Sequence, residues 1–212
     1  ALRRSGMEAT LAEDTDGGLT LAQPVPVAAL PGFREGQVSV QDGGAQLAAI
    51  LLDAQPGERV LDACAAPGGK ACHILERTPD VHLVAVDKDA ARLERVQQNL
   101  GRLGLTAQVI AGDAAVPDAW YSGAPFDRIL VDAPCSSTGT IRRHPDVAWL
   151  RQEGDIAALS ALQKRLLQNA VALLKPGGTL VYCTCSLEPE EGEQAIASLL
   201  AAESGMRRVP IE

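Results

Sequence analysis

The chain of 212 residues is 46% hydrophobic and 22% charged, a composition typical of a globular protein with one sizeable core. No run approaches the roughly 20 apolar residues that cross a membrane, so we expect no membrane span, no signal peptide and a cytoplasmic protein. The formal net charge of −8 argues against nucleic-acid binding over the whole surface, because such binding depends on neutralising phosphates. A nucleic acid would therefore contact a local basic patch or a domain outside these residues.

The cysteine and histidine pattern supports neither a metal site nor disulfides. Cys183 and Cys185 have the C-x-C form of a partial metal site, but no second pair accompanies them. Five cysteines are an odd number, and reduced thiols in a cytosol fit that number better than disulfides do. We therefore expect no metal and free thiols at Cys64, Cys72, Cys135, Cys183 and Cys185.

Proline and glycine turn signals dominate the first 40 residues and separate short apolar pieces. We predict an irregular lead-in or linker over 1–40, with extended segments that include 37–40, followed by one catalytic domain over 41–212. The chain starts without methionine and ends soon after a new segment begins, so we expect a fragment truncated at its C-terminus. Apolar spacing then predicts a helix over 45–53.

The stretch 58–70 combines a short strand with a loop that has almost no side-chain bulk. The strand ends at Asp62, and small residues and glycines then let a ligand approach the backbone at the start of a helix. Open α/β sheets bind nucleotide-like ligands at such loops, outside the carboxyl ends of their strands. The pattern is neither G-x-G-x-x-G nor the Walker motif, which argues against a dinucleotide or a triphosphate. The predicted cofactor-binding residues are Cys64, Ala65, Ala66, Pro67, Gly68, Gly69 and Lys70.

Acidic residues follow three further predicted strands, over 81–86, 108–111 and 129–131. The acids are Asp87, Asp113 and Asp132. Because the carboxyl ends of parallel strands lie along one edge of a sheet, we expect these acids to share a binding site with the loop. Asp87 lies about 20 residues beyond the glycines, where an acid accepts hydrogen bonds from ribose hydroxyls.

Apolar spacing predicts three more helices, over 90–100, 154–174 and 188–203. Gly101 closes the first of them, and we assign the many glutamates of the last to a solvated face. A strand over 179–182 precedes Cys185, as the strand over 129–131 precedes Cys135. Both thiols should therefore lie at the same edge of the sheet as the cofactor loop.

The segments DACAAPGGK, DAPCS, GTIRRHPD and LLKPGGTLVYCTCS together resemble the RNA cytosine-5 methyltransferases of the NOL1/NOP2/Sun family, over roughly residues 30–195. The lead-in LPGFREGQVSVQD is similar to the bacterial Fmu/Sun branch, which acts on 16S ribosomal RNA. The resemblance implies an α/β, Rossmann-like S-adenosylmethionine-dependent methyltransferase fold, with a mostly parallel sheet and helices on both faces. It also implies a monomer whose partner is unpaired or partly assembled 16S ribosomal RNA. Members of that branch carry an N-terminal NusB-like RNA-binding domain, which we do not recognise in these residues.

Residues that cytosine-5 methylation requires stand at the matching positions. Carbon 5 of cytosine is a poor nucleophile, so an enzyme first adds a thiolate at carbon 6. The resemblance assigns that thiolate to Cys185 and assigns breakdown of the covalent adduct to Cys135. It places Asp132 between the cofactor amino group and the target ring, Asp87 at the ribose hydroxyls and Asp113 at the adenine.

The same resemblance places the loop from Cys64 to Lys70 along the methionine and ribose of S-adenosylmethionine. We expect Trp120 and Trp149 to pack rather than to stack on bases, and we interpret Cys72 and Cys183 as structural thiols. The local candidates for phosphate contact are Arg142, Arg143 and His144.

Other functions stay open at this point. In a DNA cytosine-5 methyltransferase the Pro-Cys thiol is the nucleophile, but Cys135 is followed by Ser-Ser-Thr-Gly and not by a Glu-Asn-Val segment. A tRNA methyltransferase of the same family and a non-catalytic RNA-binding or ribosome assembly factor would share the fold. A small-molecule methyltransferase would not need two cysteines at strand ends.

Overall fold

A five-stranded parallel sheet forms the centre of the protein. The computed structural model describes residues 1–13, 15 and 17–211. The strands are β1 (Ala9–Leu11), β2 (Leu19–Leu21), β3 (Arg59–Ala63), β4 (His82–Asp87), β5 (Gln108–Ala111), β6 (Phe126–Asp132) and β7 (Leu174–Cys183). The order in the central sheet is β5-β4-β3-β6-β7. The helices are α1 (Gly43–Leu52), α2 (Gly69–Arg77), α3 (Ala90–Leu103), α4 (Val147–Leu150), α5 (Asp155–Leu173) and α6 (Glu193–Ala202).

Helices cover both faces of this sheet, so the central strands are buried on both sides and consist of continuous apolar runs. Alternate residues of β3 illustrate this, because Val60 joins the core under α1, α2 and α3 while Leu61 joins the core under α5. The last helix, α6, packs on α5 through Leu199 and Leu167. The predicted Rossmann-like fold class is confirmed.

The strand order reverses at β3, which pairs with β4 on one side and with β6 on the other. Connections from β3 and β6 therefore leave the sheet towards opposite faces and open a crevice at its carboxyl edge. Apart from Arg142, Arg143 and His144, the predicted site residues end the strands of this sheet or lie in the segments that directly follow them at this edge. The fold thus brings residues from distant parts of the sequence to one side of the molecule.

Several predicted boundaries need correction. Helix α3 continues through Gly101 and ends at Gly104, whose φ of +67° suits the left-handed cap. The strand over 179–182 is longer, because β7 starts at Leu174 and pairs with β6 across a bulge. The helix predicted over 188–203 is a 3-10 turn, Pro189–Glu191, followed by α6.

The lead-in contains a short hairpin of β1 and β2, and no strand is assigned over 37–40. Arg102 of α3 holds this part of the chain by donating from Nη1 to the carbonyl oxygens of Phe33 and Val38, both at 2.9 Å. Its guanidinium also lies 4.1 Å from the centre of the Phe33 ring. No helix within the described residues is long and apolar enough to cross a membrane.

Candidate active site

The loop after β3 is held tightly against its neighbours. Its first residue, Cys64, has a φ of +69°, a conformation that is unfavourable for a side chain and is typical of functional loops. Gly68 has a φ of +99°, and a Cβ there would lie 3.0 Å from the Cα of Val96. Only glycine therefore fits between the loop and α3. Burial, followed by the nearby Asp87, raises the pKa of Cys64 to about 12, so this thiol stays neutral.

Asp87 and Asp113 lie at the same edge but differ in their surroundings. Asp87 is buried, and its carboxylate accepts hydrogen bonds from the backbone N–H of Ala66 at 3.1 Å and of Asp89 at 3.0 Å. It thereby ties the cofactor loop to the start of α3. Asp113 is exposed, and within the described residues its carboxylate accepts only a local hydrogen bond from Ala115 N. Its carbonyl oxygen binds the indole of Trp120, which packs against Gly112 as expected.

An ion pair joins α2 to the end of β6. Lys70 Nζ lies 2.6 Å from Asp132 Oδ2, and the thiol of Cys183 lies 3.5 Å from Asp132 Oδ1. Burial disfavours the ammonium of Lys70, but Asp132 more than offsets this cost, and the pKa of Lys70 is raised. Cys183 is the last residue of β7 and pairs in register with Asp132. The interpretation of Cys183 as a structural thiol did not include its contact with the carboxylate of Asp132.

Asp62 is a site residue that the sequence analysis did not identify. Its side chain is 0% exposed, and neither carboxylate oxygen has a hydrogen-bond partner among the described residues. Burial, and after it the charge of Asp132, raises the pKa of Asp62 to about 8. The predicted strand end at Asp62 was the available signal, but β3 continues to Ala63 and Asp62 lies inside it. A buried carboxyl group without a partner is costly in a folded chain and marks a candidate ligand contact.

Asp62→Asn is expected to stabilise the protein above about pH 4. The folded-state pKa of Asp62 is raised, so its contribution is retained below the unfolded pKa and is lost as the pH rises towards about 8. The advantage of the asparagine variant should grow by about 1.4 kcal/mol for each pH unit across that window. Thermal unfolding at several pH values measures it, with the exposed Asp118→Asn as the control. A pH-independent difference would contradict the burial of an ionisable group.

The two predicted catalytic thiols meet at the carboxyl edge. Cys135 Sγ and Cys185 Sγ lie 3.3 Å apart, and Ser137 Oγ lies 3.5 Å from Cys185 Sγ. The hydrogen bond from Cys135 lowers the pKa of Cys185 to about 6, while burial and Asp132 oppose this shift and Ser137 supports it. The same hydrogen bond, followed by burial, raises the pKa of Cys135. The exposed Cys185 is therefore the thiolate of the pair and Cys135 is the proton donor.

Alkylation of Cys185 by iodoacetamide is expected to rise with pH through a midpoint near 6, well below the ordinary thiol value of about 8.5. Only the thiolate reacts, so the rate should fall as the pH drops below that midpoint. Cys135→Ala removes the main hydrogen bond to the thiolate and should move the midpoint up by at least about one unit. Mass spectrometry of the labelled peptide gives the rate. An unchanged midpoint in Cys135→Ala would exclude the assigned cause.

The interpretation of all glutamates in 188–203 as solvated is wrong at Glu191. This side chain is 0% exposed and contacts the loops that carry both thiols. Burial raises its pKa, but hydrogen bonds from Ser136, Ser186 and Gln163 outweigh that effect, and the pKa of Glu191 is lowered. It is thus a buried carboxylate that keeps its charge through donors of the protein itself.

The basic segment lies beside the thiols on a loop, 138–151, that is anchored at both ends. Gly139 N donates to the carbonyl oxygen of Cys185 at 3.0 Å, and Arg151 Nε donates to that of Ser136 at 2.6 Å. Between these anchors Arg142, Arg143 and His144 are exposed. Arg143 also pairs at 2.5 Å with Asp42, the N-cap residue of α1, which gives it a structural role as well. Trp149 is 88% exposed, so the expectation that it packs is wrong for the described residues.

Comparison with known proteins places the chain in a family. A family model described as 16S rRNA methyltransferase RsmB/F matches residues 49–212. The chain belongs to this family. Ribosomal RNA small subunit methyltransferase B of Shewanella oneidensis is 59% identical over 187 residues, which are 88% of this chain and 44% of that protein. The resemblance stated from the motifs is therefore confirmed.

Solved structures of similar proteins share the fold of this family member. The crystal structure of PH0851 has a TM-score of 0.90 and 36% identity, and the match covers 95% of this chain and 46% of the other. NSun6 from Pyrococcus horikoshii, solved with SFG, has a TM-score of 0.77 and 29% identity, covering 88% and 49%. The chain spans a little under half the length of the curated relatives that it matches, at 44%, 48% and 47% of the first three.

The site of this family member fits a small cationic cofactor. S-adenosylmethionine carries a sulfonium and an ammonium group, and the carboxyl groups of Asp62, Asp87 and Asp132 lie close to Cys64, the first residue of the loop that would hold it. Asp62 has unused acceptor oxygens for such a ligand. Within the described residues no three His, Cys, Asp or Glu side chains form a group able to hold a metal ion.

Proposed function

We propose that the protein methylates carbon 5 of a cytosine in RNA, with S-adenosylmethionine as the methyl donor and 16S ribosomal RNA as the substrate. The observation that carries this proposal is the pair of thiols 3.3 Å apart, one with a lowered and one with a raised pKa, beside the Lys70–Asp132 ion pair. Cytosine-5 methylation needs a thiolate for addition and a second group for release. The names of the relatives support ribosomal RNA as the substrate.

The cofactor would occupy the loop after β3. Backbone groups from Cys64 to Lys70 would contact its methionine and ribose. Asp87 would accept hydrogen bonds from the ribose hydroxyls, and Asp113 would contact the adenine. Asp132, oriented by Lys70, would lie between the cofactor amino group and the target ring. When bound, S-adenosylmethionine supplies an electrophilic methyl group on its sulfonium. The relative solved with SFG, an analogue of S-adenosylmethionine, supports this choice of cofactor.

The reaction then follows from the protonation states of the two thiols. The thiolate of Cys185 adds to carbon 6 of the cytosine and forms a carbon–sulfur bond, which raises electron density at carbon 5. After carbon 5 has gained the methyl group, a base removes its proton, the ring double bond re-forms and the Cys185 thiolate leaves. Cys135, in contact with that sulfur, would assist this release. The base has to be unpaired or flipped out of a helix to reach Cys185.

The loop 138–151 would form the local RNA contact beside the pocket. Its exposed basic residues would contact phosphates, and Trp149 would stack on a base next to the target. These contacts would act within the catalytic domain, residues 41–212, in a protein that works in the cytoplasm as a monomer. Residues 1–40 would be its lead-in. The net charge of −8 makes such a local surface necessary.

Trp149→Ala is expected to weaken binding of single-stranded RNA about tenfold, while Trp149→Phe retains most of the affinity, because stacking of one base on an aromatic ring contributes about 1–3 kcal/mol. Fluorescence anisotropy with the full-length protein measures the dissociation constant. Leu11→Ala is the matched control, since Leu11 is 77% exposed on the remote hairpin. A Trp149→Ala protein with lower thermal stability and unchanged RNA affinity would show that another protein segment covers the ring.

The proposed function is tested by mapping 5-methylcytosine in ribosomal and transfer RNA from a strain that lacks the gene. We expect one 16S ribosomal RNA cytosine to lose its methyl group and to regain it with the wild-type gene but not with Cys185→Ala. Transfer of tritium from labelled S-adenosylmethionine to 16S ribosomal RNA should require the full-length protein. Loss of methylation in tRNA would identify tRNA as the substrate instead. Unchanged methylation in both RNAs, together with no tritium transfer, would favour a non-catalytic RNA-binding factor.

A further inference from the structure

Two loops hold the thiols of the candidate site, and each thiol is followed directly by a serine. Cys135 and Ser136 follow β6, whereas Cys185 and Ser186 follow β7. The two serine hydroxyls lie 3.0 Å apart, close to the sulfur pair. The loops are about 50 residues apart in sequence, so a third group is needed to hold them in one arrangement.

The carboxylate of Glu191 is that group. It accepts hydrogen bonds from the backbone N–H of Ser136, at 2.9 Å to Oε1 and 3.2 Å to Oε2, and from the Ser136 hydroxyl. From the other loop it accepts the Ser186 hydroxyl at 2.5 Å. Gln163 of α5 donates to the carboxylate at 3.0 Å and also to the carbonyl oxygen of Pro134 at 2.9 Å.

The backbone of Glu191 is also held in place. It ends the 3-10 turn Pro189–Glu191, and its carbonyl oxygen accepts the hydroxyl of Tyr182 at 2.6 Å. The neighbouring Glu190 carbonyl oxygen accepts the hydroxyl of Ser160 at 3.0 Å. The buried carboxylate is thus held by Gln163 of α5 and by the two thiol loops, and Tyr182 of β7 holds the backbone of the same residue. Such a carboxylate is a rigid point of attachment, because each of its lone pairs is already used.

We propose that Glu191 is a positioning residue that holds Cys135 and Cys185 at the separation needed for addition to the base and for its release. This inference rests on the proposed function. Glu191 acts through the serines that follow the thiols and does not touch the sulfur atoms. Its loss would let the two loops move apart, so the hydrogen bond between the thiols would weaken.

Glu191→Gln tests the proposal with little change in volume. The glutamine amide offers N–H groups to Ser136 and Gln163, which are themselves donors, so several of the bonds cannot form. We expect the pH midpoint for alkylation of Cys185 to rise by at least about one unit and the release of the covalent RNA adduct to slow at least about tenfold. Binding of S-adenosylmethionine should stay within about twofold, because the cofactor loop is elsewhere.

Ser160→Ala is the matched control, because it loosens the same turn through Glu190 without touching either thiol loop. It should leave the alkylation midpoint unchanged. If Glu191→Gln does not fold, Ser186→Ala removes one donor from the same carboxylate and should give a smaller shift in the same direction. A wild-type midpoint and wild-type adduct release in a folded Glu191→Gln protein would overturn the proposal.

The alkylation midpoint is measured without RNA and without cofactor. A shift in Glu191→Gln therefore supports the positioning role even if the protein fails to methylate RNA. Failure of the proposed function would instead show as absence of methyl transfer and of the adduct in the wild-type protein. The two failures are thus distinguishable, and an equal shift in Ser160→Ala and Glu191→Gln would also overturn the positioning role.

Discussion

Cys185→Ala is expected to abolish the covalent RNA adduct and to reduce methyl transfer by more than about a thousandfold, whereas Cys135→Ala is expected to form the adduct and to release it slowly. The reason is the difference between the two thiols. Cys185 is exposed and has its pKa lowered to about 6, while the pKa of Cys135 is raised, so a thiolate is available at one sulfur only. In the proposed reaction, addition to carbon 6 would therefore require Cys185, and the protonated neighbour would act later.

The measurement is denaturing gel electrophoresis of the full-length protein incubated with RNA and S-adenosylmethionine, alongside tritium transfer. Cys135→Ala should show a slow-migrating protein–RNA band that persists, and Cys185→Ala should show none. Cys72→Ala is a control for the general loss of a thiol, because Cys72 is a residue of α2 that is buried in the core. If Cys135→Ala loses the band and Cys185→Ala keeps it, the assigned roles are reversed.

The second large effect is expected at the ion pair between α2 and β6. Lys70→Met should lower methyl transfer at least about a hundredfold, since Lys70 Nζ is 2.6 Å from Asp132 and orients that carboxylate at the pocket. Asp132→Asn should have an effect of similar size. Because both single changes remove the same interaction, the loss of methyl transfer in the double variant should be much smaller than the product of the two single losses.

Lys175 offers a matched control for this pair. Lys175 Nζ lies 2.6 Å from Asp127 Oδ1, so the same kind of ion pair is present near the amino end of β6, away from the crevice. Lys175→Met should leave methyl transfer within about twofold of wild type, because this partly buried pair lies at the other end of β6 from the crevice. Equal losses in Lys70→Met and Lys175→Met would indicate a general effect on folding instead of a role in the site.

Much of the carboxyl edge could be predicted from local sequence. Apolar runs ending in Asp87 and Asp132 and the small residues before Lys70 predict strands, a sheet and a ligand loop, because side-chain periodicity is a local property. The order in which strands alternate with helices then places those ends at one edge. Boundaries were less accurate, as at Gly101, where a glycine that looks like a helix end is retained inside α3.

The roles of Glu191 and Asp62 could not be predicted in the same way. A glutamate before an amphipathic helix is usually solvated, and the burial of Glu191 depends on Ser136, 55 residues away in sequence. Asp62 follows an apolar run, but its lack of a partner is a property of the packed core. The ion pair between Arg143 and Asp42 could not be predicted either, because the two residues are 101 positions apart in the sequence.

Local sequence patterns were sufficient to predict the alternation of strands and helices, the loop of small residues, the acids at the strand ends and the two thiols, because each depends on residues close together in the chain. The folded structure was needed to show that Cys135 and Cys185 are 3.3 Å apart and that the pKa of Cys185 is lowered. Distances between loops and the desolvation of charged groups arise from packing between distant segments, and local patterns contain no information on either.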